Sequence, residues 1–237
     1  MSSSVLFVWR HNNDFDSTLP VVHRMATCGA VDRVVVYVAS AELLWADDFR
    51  IDVLRDLPNV EIFDVWSLVG GRLGAAMRAL CHRSKMSRGP LRKLLPKLVA
   101  RVVAASRWRD RLAEKLAALA PALVAFDWVD PSKTSDRKGP WGIAEIAAWA
   151  RDHRRPTVAL LHGLSLADFP AQPSVLSTTF THLYTESEHH RAALIAKGYD
   201  PANLIVTGAP RFDPAWVALL DRVLAARGLT HGRKAGV

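Results

Sequence analysis

Short apolar runs alternate with longer stretches of helical periodicity along most of the chain. Seven short runs have the length and composition of strands, namely residues 4–9, 33–39, 60–66, 123–128, 156–161, 181–185 and 204–206. The runs at 4–9 and 204–206 are apolar throughout most of their length, as strands buried on both faces are. Because the strands alternate with helices and no hairpin-type turn separates two of them, the pattern predicts an α/β fold. We expect a doubly wound, Rossmann-like parallel sheet of about seven strands with helices on both faces.

Residues 181–213 carry the clearest signals for helix boundaries. Thr185 and Glu188 have the spacing of a capping box, which places a helix start between them. Gly198 is expected to end that helix in the left-handed conformation. Asp213 precedes Pro214, a pattern that predicts an N-cap followed by the first residue of the next helix.

The other helices have weaker boundary signals. The first is expected to begin at one of three adjacent cap residues, Asp16, Ser17 or Thr18, and to end at Gly29. Further helices are predicted at residues 41–57 and 141–153. Residues 68–119 are predicted to be helical with an interruption at residues 89–90 and a second candidate interruption at Pro96.

Charged residues and glycines follow several of the predicted strands. Since parallel strands joined by right-handed crossovers end at one edge of the sheet, where open α/β sheets bind ligands, we expect these residues to meet there. His162 is the candidate catalytic residue, because an imidazole beside a glycine suits a general base near neutral pH. The candidate substrate contacts are Arg10, Asp14, Asp127, Gly163, Glu186, Gly208, Pro210, Arg211 and Asp213.

The segment from Tyr184 to Asp213 contains TESE and, after a glycine, VTGAPRFD. It resembles the end of the first Rossmann-like domain in GT-B-type enzymes, especially the CDP-glycerol glycerophosphotransferase-like and UDP-N-acetylglucosamine 2-epimerase-like groups. The resemblance implies an N-terminal, acceptor-side domain at residues 1–213, with a basic helical insertion at about residues 68–119. Residues 214–237 would be a helix and a polar tail that begin a second domain, which we expect to be missing from this chain.

The resemblance also implies a function, that of a transferase in cell-surface polysaccharide or teichoic-acid-type biosynthesis. Such an enzyme moves a sugar or a glycerol phosphate from a nucleotide-activated sugar or CDP-glycerol to a hydroxyl of a lipid-linked or glycan acceptor, without a further cofactor. The donor is expected to bind mainly to the second domain. The residues ALLHG at 159–163 are similar to a strand that ends in His-Gly in the glycerophosphotransferase-like group, which implies that His162 deprotonates the acceptor.

Two other functions and two structural roles stay open. Epimerases of this kind have His-x-Glu-Ala-Gly at this segment, and the absence of the glutamate here argues against a 2-epimerase. A catalytically silent module that binds a ligand or a membrane is the other alternative. His162 has a structural alternative in a hydrogen bond to a neighbouring loop. Asp213 and Arg211 also have a structural alternative, in which Asp213 caps a helix and Arg211 forms an ion pair with it.

Metal and serine-hydrolase chemistry have little support in the sequence. Asp127 and Asp130 share one loop, where carboxylates are usually solvated or act as caps. The histidines at positions 182, 189 and 190 form no i,i+4 pair and have no nearby cysteine, so zinc is not expected. Ser165 lies in GLSLA, which lacks the last glycine of a nucleophile elbow, and prolines at 170 and 173 disfavour the helix that an elbow needs. We therefore expect no metal.

The 237-residue chain has a formal net charge of +8, and the excess of cations lies in one segment. Residues 72–115 contain 13 Lys or Arg against Asp110 and Glu114, with apolar residues between them. This mixture predicts docking on an anionic membrane surface. The predicted membrane contacts are Arg88, Arg92, Lys93, Lys97, Arg101 and Trp108.

Two further interpretations of the basic segment remain. It can form crossover helices with one face on the sheet and a solvated basic face. Nucleic-acid binding has little support, because no recognised motif accompanies the charge. No signal peptide and no membrane-spanning run is visible, so we expect a cytoplasmic protein that associates peripherally with the inner face of the cell membrane.

Overall fold

A seven-stranded, entirely parallel sheet forms the centre of the protein, as the sequence predicts. The computed structural model describes residues 3–10, 12–40, 45, 48–86, 91–127, 141–160 and 179–228. The strands lie in the order β3-β2-β1-β4-β5-β6-β7, so the chain builds outwards from β1 in one direction and then from β4 in the other. They are β1 (Ser4–Trp9), β2 (Arg33–Val38), β3 (Val60–Asp64), β4 (Leu123–Asp127), β5 (Thr157–Leu160), β6 (His182–Thr185) and β7 (Leu204–Val206).

Helices cover both faces of the sheet. The described helices are α1 (Asn12–Thr27), α2 (Asp52–Arg55), α3 (Val65–Val69), α4 (Gly71–Met86), α5 (Leu91–Ala105), α6 (Trp108–Leu119), α7 (Ile143–Asp152), α8 (Glu188–Ala196) and α9 (Pro214–Ala226). Short 3-10 turns lie at Phe49–Ile51, Pro201–Asn203 and Pro210–Phe212.

Alternation along the strands divides the core into two layers. In β1, Leu6 and Val8 face the layer covered by α3 to α8, whereas Val5, Phe7 and Trp9 face the layer covered by α1, α2 and α9. Both sides of β1 are buried, which explains its continuous hydrophobicity. The sheet therefore has the two-sided packing of a doubly wound α/β fold.

The predicted start of the first helix is wrong, and the candidate interruption at Pro96 is wrong because α5 continues through it. Helix α1 begins at Asn12, so Asp16, Ser17 and Thr18 lie inside it and none is its cap. The carboxylate of Asp14 accepts the backbone N–H of Arg10, which turns the chain into the helix directly after β1. Of the helix predicted at residues 41–57, the described part shows the 3-10 turn and the four-residue α2.

The capping box predicted for α8 is also wrong. Thr185 stays in β6, where its hydroxyl donates to the carbonyl of Ile205. Ser187 is the N-cap, and its side chain accepts the backbone N–H of His190. The predicted helix end is confirmed, because Gly198 follows α8 with a φ of +92° that favours glycine.

Trp108 does not lie on the surface as the membrane prediction requires. It is the first residue of α6 and is 1% exposed in the core, together with Leu112, Leu116 and Leu119 of the same helix. This spacing places all four side chains on one helix face, and the face packs towards the sheet. The prediction that Trp108 contacts a membrane is therefore wrong.

Candidate functional site

An inner ion pair joins the ends of β1 and β4 at the carboxyl edge of the sheet. Arg10 follows β1, and its Nε lies 3.0 Å from Oδ2 of Asp127, the last residue of β4. The pair is deeply placed, since the Asp127 side chain is 2% exposed and the Arg10 side chain 19%. Asp14 is also buried and accepts the amide of Arg10. Three candidate substrate contacts are thus engaged with one another.

An outer ion pair joins the ends of β6 and β7 at the same edge. Glu186 follows β6, and its Oε1 lies 3.0 Å from a terminal nitrogen of Arg211, on the 3-10 turn after β7. The guanidinium of Arg211 also lies 5.0 Å from the ring centre of the exposed Phe212. This pairing differs from the structural alternative considered above, in which Arg211 pairs with Asp213.

Asp213 instead holds the start of α9. Its Oδ1 accepts the backbone N–H of Ala215 at 2.8 Å and that of Trp216 at 3.0 Å, which confirms the predicted N-cap. The loop before it turns at Gly208, which has a φ of +81° that favours glycine. Pro210 begins the 3-10 turn that carries Arg211. Gly208, Pro210 and Asp213 therefore shape the loop that presents Arg211.

A small cavity lies beside the outer pair, below the loop at Thr207 and Gly208. It has a volume of about 20 Å³. Its described lining comes from α1 and from the ends of β5, β6 and β7: Ser17, Leu160, Tyr184, Thr185, Glu186, Thr207, Gly208 and Pro210. Thr207 is fixed in place, because its backbone N–H donates to the carbonyl of Thr185 at 2.9 Å.

A larger groove of about 600 Å³ lies on the other side of the same loop, between α1 and α9. Its polar lining includes His23, whose ring centre lies 5.8 Å from that of Trp216. Partial burial lowers the pKa of His23 below its usual value, and the positive charge of Arg24 lowers it further. The neutral imidazole is thus favoured in this groove.

His162 and Gly163, the candidate base and its neighbour, lie outside the described residues, as do Asp130 and Ser165. The strand that precedes them, β5, pairs with β4 on one side and β6 on the other. Its carboxyl end therefore lies between the inner and the outer ion pair. The role of His162 stays a prediction.

Within the described ranges, no cluster of three His, Cys, Asp or Glu side chains is arranged to hold a metal ion. The same part of the chain has no helix long and apolar enough to cross a membrane. Of the predicted membrane contacts, Lys97 and Arg101 are exposed on α5. Arg88 lies outside the described residues, as do the side chains of Arg92 and Lys93.

Sequence reasoning missed Ser17 and Thr207 as parts of the site. Ser17 carries no separate signal, because a serine in the second turn of a helix is common and its surroundings come from β5 and β6. Thr207 has a weak signal, since it stands directly between a buried strand and a glycine, where a strand end meets a turn.

No protein-family model and no curated protein sequence matches the chain. Several solved structures are similar to the chain. The UDP-GlcNAc 2-epimerase from Neisseria meningitidis bound to UDP-GlcNAc is 12% identical, and the match covers 95% of this chain and 52% of that one with a TM-score of 0.51. The UDP-N-acetylglucosamine 2-epimerase from Rickettsia bellii is 14% identical over 97% of this chain and 52% of that one, with a TM-score of 0.48.

The lipopolysaccharide outer core galactosyltransferase WaaB also matches, at 11% identity over 85% of this chain and 44% of that one, with a TM-score of 0.43. The chain spans about half the length of the Neisseria epimerase. Identities this low show the fold alone. The sheet order and the match to the Neisseria epimerase together show a Rossmann-like fold, similar to that of about half of that enzyme.

Proposed function

We propose that this chain is the N-terminal, acceptor-side domain of a GT-B-like transferase in cell-surface polysaccharide or teichoic-acid-type biosynthesis. The observation that carries the proposal is the presence of two ion pairs at the carboxyl edge, one on each side of β5. Open α/β sheets bind their ligands at this edge. In this proposal residues 1–213 form the acceptor-side domain, and helix α9 packs against it through the buried Trp216.

The outer pair is the part of the edge that suits a phosphorylated substrate. Arg211 keeps 28% of its side chain exposed, and its planar guanidinium can bind a phosphate through two parallel hydrogen bonds. A phosphate that approaches it competes with Glu186, so the exchange costs one partly exposed ion pair rather than a buried one. Arg211 is thus the proposed contact for the negatively charged part of a nucleotide-activated donor.

The proposed reaction transfers a sugar or a glycerol phosphate to a hydroxyl. His162 removes the proton of the acceptor hydroxyl, and the resulting oxygen nucleophile attacks the sugar carbon or the phosphorus of the donor. The bond to the nucleotide breaks, and the nucleotide leaves with the electron pair. A lipid-linked or glycan acceptor supplies the hydroxyl in this scheme, and most donor contacts belong to the second domain.

The first test is a panel of donors offered to the 237-residue chain. The Neisseria epimerase has UDP-GlcNAc bound in its crystal structure, so the panel contains UDP-GlcNAc with UDP-glucose and CDP-glycerol. We expect calorimetry to detect binding of at least one donor. If polyol acceptors are also turned over, His162→Ala should lower the rate about 100-fold to 10,000-fold and leave the unfolding midpoint nearly unchanged.

The matched control is His153→Ala. His153 is exposed at the C-terminal end of α7, which precedes β5 and therefore lies at the opposite edge of the sheet. Equal turnover by the His162 and His153 variants would contradict the role of His162. Binding without turnover would favour the catalytically silent module, and 2-epimerisation of UDP-GlcNAc would favour the epimerase. No binding of any donor would contradict the donor contact at Arg211, which is the part of the proposal that this chain carries.

A specific observation supports peripheral membrane association as a second function of the domain. Among the described residues of the basic segment, Arg72, Arg83, Lys97 and Arg101 are exposed on α4 and α5 without an ion-pair partner. Leu73 and Leu98 on the same two helices are about half exposed. Exposed cations beside exposed leucines suit an anionic lipid surface, where each cation contributes about 1 kcal/mol.

Cations further along the segment differ, because they are engaged within the protein. Arg107 pairs with Asp110, Arg109 with Glu145 and Lys115 with Glu61. Arg111 donates to the carbonyls of Leu68 and Val69. Only part of the segment is therefore left for an anionic partner.

Co-sedimentation with phosphatidylcholine vesicles of increasing phosphatidylglycerol content tests this function. The variant with Arg72, Arg83, Lys97 and Arg101 changed to Gln should lose binding to anionic vesicles at low salt. The control variant changes Arg107, Arg109 and Lys115 to Gln and removes almost as much charge, yet it should bind nearly as the wild type does. Equal loss of vesicle binding in the two variants would show a nonspecific charge effect and would contradict a membrane-binding surface on α4 and α5.

A further inference from the structure

Ser17 differs from its neighbours on α1 in the state of its hydroxyl. The residue is 4% exposed, and its Oγ has no hydrogen-bond partner within the described part of the protein. The adjacent Thr18 shows what is usual at such a position. Its hydroxyl donates to the carbonyl of Asp14 at 2.6 Å and accepts from the indole nitrogen of Trp9 at 2.6 Å.

A buried hydroxyl without a partner costs stability, because it has lost its hydrogen bonds to water. Most buried polar atoms are hydrogen-bonded, and an exception in a native protein needs a cause. Serine inside a helix often relieves the cost by bonding the carbonyl four residues earlier. Ser17 does not do so, although Thr18 does.

Ser17 lines the small cavity at the carboxyl ends of β5, β6 and β7. The cavity volume of about 20 Å³ compares with about 10–15 Å³ that one water molecule requires. It therefore has room for a single oxygen-sized group. A phosphate is too large for this space.

Glu186 determines which chemical group fits. Its side chain is 15% exposed and also lines the cavity, and Arg211 binds its Oε1. An ionised carboxylate can only accept hydrogen bonds, whereas the Ser17 hydroxyl can donate one. A group between them must donate to the carboxylate and accept from serine, and it must not carry negative charge. A hydroxyl meets these three conditions.

We infer that Ser17 is a ligand contact, which together with Glu186 binds one hydroxyl group of a sugar or another polyol. This inference rests on the proposed function, because it assigns a part of the same substrate to the cavity. Ser17 is then a binding residue for the sugar or polyol portion, and Arg211 is the neighbouring contact for its charged portion. In the free protein the unpaired hydroxyl lowers stability, and a bound ligand supplies the missing hydrogen bond.

A comparison of two serine variants tests the inference. Ser4 is also 4% exposed, but its hydroxyl donates to the carbonyl of Leu119 at 3.0 Å, far from the cavity. Ser4→Ala should lower the unfolding midpoint and leave ligand affinity unchanged. Ser17→Ala should leave the midpoint unchanged or raise it, and it should weaken the binding of the best sugar nucleotide about twofold to tenfold, as one lost hydrogen bond does.

Deoxy analogues of that sugar nucleotide make the test sharper. For wild type, removing one particular hydroxyl from the ligand should lower the affinity as much as Ser17→Ala lowers it for the full ligand. The affinity for that deoxy analogue should be the same in wild type and in Ser17→Ala. Wild-type affinity in Ser17→Ala would overturn the inference. A midpoint lowered as much as in Ser4→Ala would also overturn it, because the cavity would then hold a structural water.

Failure of the proposed function can be distinguished from failure of the inference about Ser17. If wild type binds no sugar nucleotide or CDP-glycerol, that function is contradicted, and saturation-transfer NMR with free N-acetylglucosamine and glycerol decides the role of Ser17. Binding of either by wild type that is weakened in Ser17→Ala supports the polyol contact. Absence of binding by wild type overturns it.

Discussion

Two ion pairs at the same edge of the sheet differ in depth and in what holds them. The inner pair, Arg10 with Asp127, joins adjacent strands, and its carboxylate side chain is 2% exposed. The outer pair, Glu186 with Arg211, joins a strand end to a 3-10 turn, and its cation is 28% exposed. The inner pair is therefore part of the protein's framework, whereas the cation of the outer pair is accessible from solvent.

The burial of each pair determines the free energy that is needed to separate its two charges. A charge that stays buried after its partner is removed is strongly destabilising, whereas a pair near solvent contributes little. A ligand can therefore displace Glu186 from Arg211 at low cost, but it cannot separate Arg10 from Asp127 without penalty. This difference is why we place the ligand at the outer pair and treat the inner pair as its support.

The largest expected effect is that of Asp127→Ala. It leaves the guanidinium of Arg10 at a mostly buried position without its carboxylate, and we expect a loss of about 3–5 kcal/mol in the free energy of unfolding. Denaturant unfolding followed by circular dichroism measures this loss. A loss below about 1 kcal/mol, comparable to that of an exposed pair, would remove the distinction between the two pairs.

A double variant separates the charge from the packing. Arg10→Met with Asp127→Leu replaces both charges by apolar groups of similar size, and such replacements of buried pairs are often neutral or stabilising. The double variant should therefore be more stable than Asp127→Ala. If it is equally unstable, packing at the end of β4 rather than the unpaired charge explains the loss.

The sequence predicts the strands well and the helix starts poorly, for a physical reason. A strand such as β1 is buried on both faces, so its hydrophobic run is visible locally. A cap depends on which side chain reaches a free amide, and Ser187 fills that role although Thr185 and Glu188 have the better spacing. Such a choice is decided by the backbone angle at the strand end, which the sequence does not reveal.

The site is predictable in its position but not in its pairings. The carboxyl-edge rule brings Arg10, Asp127, Glu186 and Arg211 to one edge from the sequence alone. Arg211 pairs with Glu186 and not with Asp213, and this choice depends on how the chain runs from β6 to β7. Trp108 is the instructive error, because its spacing from Leu112, Leu116 and Leu119 already indicated a buried helix face.

An intermediate effect is expected for Asp213→Ala, which acts on the loop that carries Arg211. The variant leaves the backbone N–H groups of Ala215 and Trp216 without their acceptor, and loss of such a cap costs about 0.5–2 kcal/mol. Asp213→Asn should restore most of the loss, since asparagine is an equally good cap. An unchanged unfolding midpoint in Asp213→Ala would show that the cap does not hold α9.

The smallest effect on stability, and the most informative one, is expected for Arg211→Gln. The Glu186 carboxylate stays 15% exposed, and the glutamine amide can still donate a hydrogen bond to it. The variant should therefore change the free energy of unfolding by only about 0–1 kcal/mol. Under the proposed function the same variant should weaken binding of the donor found by the panel, and the difference from wild type should shrink as salt is raised, since salt screens exposed charges. Glu186→Gln is the matched control, because it removes the other charge of the pair and leaves the guanidinium without a competitor. It should therefore bind the free nucleoside diphosphate, which lacks the sugar or polyol portion that Glu186 is inferred to contact, at least as well as the wild type. If Arg211→Gln destabilises the protein as much as Asp127→Ala and leaves affinity unchanged, both pairs are structural and the ligand must bind elsewhere on the edge.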